Sequence, residues 1–208
     1  GKGKERRQNE TDEPIKKNVD QWYETNIVNT GYSDYVADSI FCNDRSTPGR
    51  SATGLSGDTG LGYGGQITSY GATARVGGPW QKTVIQPQFI CPQENDKFTV
   101  EESSGGNGAL TYPVGLITAD EIVAAGSGKY NTVNNHYYLY KGTQYWTFSA
   151  DHMDGRYAYV YSVKGGGFLF DENILSSAAI APVINLKAEY LDKLKGNGTF
   201  NYPYHLEI

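Results

Sequence analysis

Leu110-Thr111-Tyr112-Pro113-Val114-Gly115-Leu116-Ile117 runs directly into Thr118-Ala119-Asp120-Glu121-Ile122-Val123-Ala124-Ala125-Gly126, and this junction decides the fold class. The first half is an extended apolar approach. Thr118 is a good N-cap, and Glu121, three residues on, completes a capping box by reaching back to the Thr118 backbone. Gly126 is the usual glycine past a helix end. The pattern predicts a strand entry followed by a short helix to Ala125.

Working upstream, a longer helix is predicted from Glu13-Pro14, because proline in the first turn has no N–H to leave unpaired. Ile15, Val19, Trp22, Tyr23 and Ile27 fall on one face of it. Gly31 ends this region, and a shorter helix is predicted from Ser33 with Tyr35, Val36 and Ile40 inward. Residues 1–12 read as a disordered polar leader, with Lys2, Lys4, Arg6 and Arg7 solvated. Residues 43–83 are rich in Gly, Ser and Thr and poor in aliphatics. Such a stretch has little to bury and a high ordering entropy, so it reads as a long surface excursion with one or two short strands. Phe89–Val100 is predicted to hold a strand and turn, and residues 102–108 a loop.

Downstream the period changes to two. Candidate strands are Tyr137–Tyr140, Tyr145–Ser149, Tyr157–Val163, Gly167–Phe170 and Ala181–Leu186, with turns at Lys141-Gly142, Asp154-Gly155 and Gly165-Gly166. Tyr157, Tyr159, Tyr161 and Val163 alternate with Ala158, Val160 and Ser162, as in a half-buried strand. The pattern alone leaves open which set faces inward. Helices followed by a crowded, mostly antiparallel sheet with long loops make one α+β domain over residues 13–208.

Composition narrows the function. The chain has 208 residues, 13% of them aromatic, with 17 Tyr and 26 Gly, which fits a loop-rich globular domain and not a disordered chain. A net charge of −5, small and spread out, argues against nucleic acid as a partner, which needs a basic face. No apolar run reaches the ~20 residues of a membrane span, so membrane attachment is expected only through a removed N-terminal anchor. Cys42 and Cys91 read as one disulfide of an exported protein, and the other reading is two buried thiols. A disulfide closing a loop of ~50 residues would stabilise by roughly 3–4 kcal/mol. Two cysteines without a CxxC or HxxxH partner do not make a zinc site, and no cofactor is expected.

Several ordered motifs resemble an uncharacterised family of secreted or surface proteins of Gram-positive, often gut-dwelling, bacteria. They are Trp22-Tyr23 with Asn26-Ile27, Phe41-Cys42-Asn43-Asp44-Arg45, Tyr112 to Glu121, Tyr137-Tyr138-Leu139-Tyr140, Tyr145-Trp146-Thr147-Phe148-Ser149, Pro182-Val183-Ile184-Asn185-Leu186-Lys187 and the ending Gly196-Asn197-Gly198-Thr199 with Pro203-Tyr204 and Ile208. In that family the cysteines at these positions tend to occur together, which implies the pairing of Cys42 with Cys91. More loosely, the capped helix and the final Pro-Val-Ile-Asn-Leu strand resemble the C-type-lectin-like fold, in the variant of formylglycine-generating enzymes. Those enzymes use cysteines near the C-terminal end, and this chain has none after Cys91. Calcium-dependent sugar-binding triplets are absent too. The resemblance implies a scaffold, and a scaffold does not carry function with it.

Among short motifs, Asp58-Thr59-Gly60 spells a protease triplet without the apolar strand it needs and reads as a turn. Gly60-Leu61-Gly62-Tyr63-Gly64-Gly65 lacks the Lys-Ser/Thr of a phosphate loop. Asp151-His152-Met153-Asp154 places two carboxylates and an imidazole close enough to hold a cation or polarise a water, against the plainer reading of a polar turn. His136 and His205 read as ordinary surface or structural residues. Tyr and Trp give large contact area at low entropic cost, and the ligand-contact candidates are Tyr138, Tyr145, Trp146, Asp151, His152, Asp154 and Tyr157.

The expectation is a non-enzymatic extracellular or cell-surface module binding a host or bacterial glycan or a surface protein. Contact would come from the glycine-rich loop at 50–80 and the aromatic turns at 140–157. A subunit of a pilus or other surface polymer is one alternative. The other is a hydrolase of glycans or peptides using Asp151, His152 and Asp154.

Overall fold

The computed structural model of the chain describes residues 14–48, 67–76, 86–127, 132–154, 156–199 and 201–207. The leader, the Asp58 triplet and the glycine run at 60–65 lie outside the described residues. So does most of the 50–80 loop.

A four-stranded antiparallel sheet organises the rest. Its strands are β3 (Ile67–Ser69), β6 (Tyr145–Asp154), β7 (Ala158–Val163) and β8 (Leu169–Asn173), in that spatial order. On one face Tyr145, Tyr161, Val163 and Leu169 pack on Ala72 and Val76 of α2 (Gly71–Val76) and on Ala119 and Ile122 of α3 (Ala119–Ala124). On the other, Trp146, with Phe148 and Val160 half-buried, packs on Val19 and Tyr23 of α1 (Pro14–Tyr23) and on Ile27. The sheet is therefore the middle of three layers, and both sets of the alternating β7 pattern are covered. Tyr161 and Val163 of the tyrosine set face α2 and α3.

The mixed helix and antiparallel sheet is the expected α+β class. The Thr118–Glu121 capping box forms in both directions, and Gly126 follows the helix at φ +103°. The α1 face is as read: Val19, Tyr23 and Ile27 are buried. Short ladders close the ends. They are β1 (Val36–Ala37) on β10 (Asn185–Leu186), β2 (Phe41–Cys42) on β4 (Lys97–Phe98), β5 (Gly115–Leu116) on β9 (Pro182–Val183), and β11 (Leu194–Lys195) on β12 (His205–Leu206).

Four local expectations are corrected. Ser33–Tyr35 is a single 3-10 turn and not a helix, because Val36 is extended to pair with Leu186. Ile40 is exposed. Tyr137–Tyr140 is a turn, closed by Tyr140 N donating to Tyr137 O at 3.0 Å. Inside the glycine-rich stretch, residues 71–76 form a buried helix: Gly71, Ala72 and Thr73 are small enough for α2 to lie close on β6. Phe89–Val100 holds the expected short strand, Lys97–Phe98, after a turn at Glu94–Asp96. Cys42 and Cys91 form a disulfide, 49 residues apart in sequence.

Candidate functional site

Two places concentrate chemistry. The first lies on the α2 face of the sheet, where β6 is irregular. Pairing of β6 with β7 shifts register between Ala150 and Met153. An extra residue in one strand breaks the strict alternation of sides, so Asp151 and His152 both turn inward although they are neighbours in sequence. They are 3% and 5% exposed. Asp151 Oδ2 lies 2.7 Å from His152 Nδ1, and Thr73 Oγ1 lies 2.6 Å from Asp151 Oδ1 and 2.7 Å from Asp151 O. The His152 ring stacks on Tyr159 with centroids 4.2 Å apart.

Across the sheet, Tyr161 of β7 is in register with Asp171 of β8. Asp171 was not among the residues singled out from the sequence. Its only sequence signal is its place in Leu169-Phe170-Asp171-Glu172-Asn173, two residues after a buried leucine. Burial, and then the charge of Asp151, push the Asp171 carboxyl up to about 6. Burial opposes a charge on His152, but Asp151 beside it outweighs this and raises its pKa.

Asp154 plays a different part. Its Oδ1 accepts from Arg156 N at 2.9 Å and Tyr157 N at 2.7 Å, which makes it the cap of the β6–β7 turn. Burial works against its charge, but these N–H groups outweigh that and hold the carboxyl below the usual range. The Asp151–Asp154 tetrapeptide therefore divides into an inward pair and a turn cap.

The aromatic candidates divide as well. Tyr145 and Trp146 are 1% and 3% exposed; Tyr145 donates to Leu139 O at 2.9 Å, and Trp146 sits among the α1 residues. Both belong to the core and present no surface to a ligand. Tyr157 is half-buried, and Tyr138 stands 79% exposed.

The second place is a cleft of about 150 Å³ beside the disulfide, lined by Phe41, Cys42, Arg75, Leu116, Phe89 and Ile90 among others. Arg75 is its floor. Its Nε and Nη2 meet Asp120 Oδ1 and Oδ2, both at 2.9 Å, and Nη1 meets Asp44 Oδ2 at 2.7 Å. Burial opposes the charge, but the two carboxylates outweigh it and raise the guanidinium's pKa. The same hub holds the segment that forms the cleft's lip. Gln86 N donates to Arg75 O at 3.0 Å, Gln88 N donates to Asp120 Oδ1 at 2.9 Å, and Cys91 is tied to Cys42. Between these anchors Phe89 and Ile90 are 70% and 81% exposed.

Comparison of the chain with protein-family models, with curated proteins and with solved structures gave no match. Among the described residues no helix is long and apolar enough to cross a membrane.

Proposed function

We propose that this chain is a non-enzymatic, extracellular or cell-surface binding or display module that engages a protein partner through the Phe89–Ile90 lip of the cleft. The lip itself carries this reading. Its backbone is fastened at three points, to Arg75, to Asp120 and through the disulfide to β2, while its two large apolar side chains stay in water. Fixing such side chains in advance removes the entropy cost of ordering them on contact. Exposed apolar groups rimmed by charge are what protein contact surfaces are made of. An isoleucine offers no flat face to a sugar ring, so a protein segment fits this lip better than a glycan.

The disulfide is compatible with an oxidising, extracellular setting. The surface-protein family resembled by the motifs, and the C-type-lectin-like scaffold, belong to the same proposal. The capped helix α3 and the Pro182-Val183 strand, which carry that likeness, lie against each other's neighbours through the β5–β9 pair. The hydrolase alternative has less behind it, since His152 and Asp151 are buried and Asp154 is engaged as a turn cap.

The test is a binding screen of the purified chain on host-matrix protein arrays and glycan arrays, with light scattering of the chain alone. Saturable binding to a protein supports the proposal. Hits confined to glycans would move the contact to exposed tyrosines such as Tyr138. Blank arrays with polymer in the scattering experiment would replace it with the surface-polymer reading.

A further inference from the structure

The buried polar centre poses a separate question, independent of the lip. One ligand atom each from Asp151, His152 and Asp171 lies within 4.8 Å of the others. They come from two different strands, and the β6 register shift is what brings the first two to the same side. Tyr161, 1% exposed, stands directly behind them. Its hydroxyl lies close to Asp151 and Thr73 without reaching full hydrogen-bond geometry with either. Asp171 Oδ1 is likewise buried and unbonded. Buried polar atoms are nearly always partnered, so the unbonded Asp171 oxygen and the neighbouring Tyr161 hydroxyl, on residues in register across β7 and β8, call for a further partner. Charge points the same way: among the described residues, the ion pair formed by either carboxylate is that of Asp151 with His152.

We propose that Asp151, His152 and Asp171 bind a divalent first-row transition-metal ion, with the Tyr161 hydroxyl beside its open position. One imidazole and two carboxylates are a donor set suited to zinc and its neighbours. Calcium would need about six to eight oxygens, more than the spot offers. With metal–ligand distances of about 2.0–2.2 Å, two ligands of a tetrahedral ion stand about 3.4 Å apart, so a spread of 4.8 Å closes by about 1 Å or more when the ion enters. Such an ion would fasten β6 to β8, two strands that do not touch directly in the sheet. A buried water bonded to the same groups is the competing occupant.

The experiment takes the whole chain, stripped with chelator, and titrates it with Zn²⁺ and separately with Ca²⁺ by calorimetry. The expected result is one Zn²⁺ per chain with a Kd on the order of micromolar or tighter, no comparable Ca²⁺ binding, and a higher melting temperature with Zn²⁺. Asp171→Asn keeps the shape and should weaken zinc binding by at least about 10–100-fold, while Tyr161→Phe should leave a zinc site. X-ray absorption at the zinc edge of the unaltered chain gives a second readout that does not depend on any variant folding. It should show nitrogen and oxygen ligands with a single imidazole. A folded chain that binds no zinc would mean that water fills the spot. Zinc binding untouched by Asp171→Asn, or a shell with two imidazoles, would place the ion elsewhere. Any of these results overturns the proposal.

Discussion

Arg75 and Asp120 meet fork to fork, Nε to Oδ1 and Nη2 to Oδ2, both at 2.9 Å, with side chains 14% and 5% exposed. The pair joins α2 to α3, and the remaining arm of the guanidinium takes Asp44. Removing one member of such a buried set leaves charges without compensation. Arg75→Met is expected to cost about 3–5 kcal/mol, read as a lower urea midpoint at unchanged slope. Adding Asp120→Leu should recover part of the loss. A cost below about 1 kcal/mol would mean that the hub is not what joins the helices.

The disulfide is expected to stabilise the chain by about 3–4 kcal/mol through its 49-residue separation. Changing both Cys42 and Cys91 to Ser should lower the melting temperature accordingly. It should also free the 86–91 segment, raising hydrogen exchange at Gln88 N and leaving that of β6–β7 amides set by the smaller global stability alone.

Two tyrosine-or-tryptophan neighbourhoods should respond in opposite ways. Trp146→Ala empties a packed position beneath α1 and is expected to cost about 3–5 kcal/mol. Tyr138→Ala changes a side chain that is 79% exposed and should stay within about 0.5 kcal/mol. Thermal unfolding of the two variants checks both.

Gly167 has φ +78°, and a Cβ there would fall 1.9 Å from Asn134 O. That oxygen belongs to backbone and cannot swing away. Gly167→Ala is therefore expected to destabilise by about 2 kcal/mol or more, whereas Gly31→Ala, also at positive φ but with open space around it, should cost less.

Asp38 gives a pH signature. Burial works against its charge, but Ser104 Oγ, Val100 N and Glu101 N, at 2.6, 2.8 and 2.9 Å, outweigh this and hold its carboxyl below the usual value. A pKa lowered by folding contributes stability above the unfolded value of ~3.9, and that contribution is lost as pH falls through the folded value. The stability gap between the unaltered chain and Asp38→Asn should be full at pH 6 and shrink below about pH 4.

The local signals were legible where neighbours in sequence act on each other. Pro14, the Thr118–Glu121 box and Gly126 are such cases, since each is a contact within a turn or two. The tyrosine alternation of β7 was legible as a strand but not as a direction, because helices cover both faces of the sheet and periodicity cannot name the layer. The candidate site was half legible. Asp151 and His152 stood out as adjacent residues, but Asp171 joins them only through the β7–β8 register, and two inward neighbours require a register shift that no residue type announces. Trp146 and Tyr145 look alike in sequence to exposed binding aromatics, and only packing separates them. The lip was missed because Phe89-Ile90 reads as the start of a strand. What holds it out of the core is Asp120, 32 residues beyond the Gln88 amide it binds, together with the disulfide.

The most direct test of the account is the affinity of a protein ligand identified on the arrays for the chain carrying Phe89→Ser and Ile90→Ser together. Both side chains are largely in water, so the melting temperature should hold. Binding should fall by at least about tenfold, equal to about 1.4 kcal/mol. Unchanged affinity in a folded double variant would contradict the assignment of the lip as the contact surface.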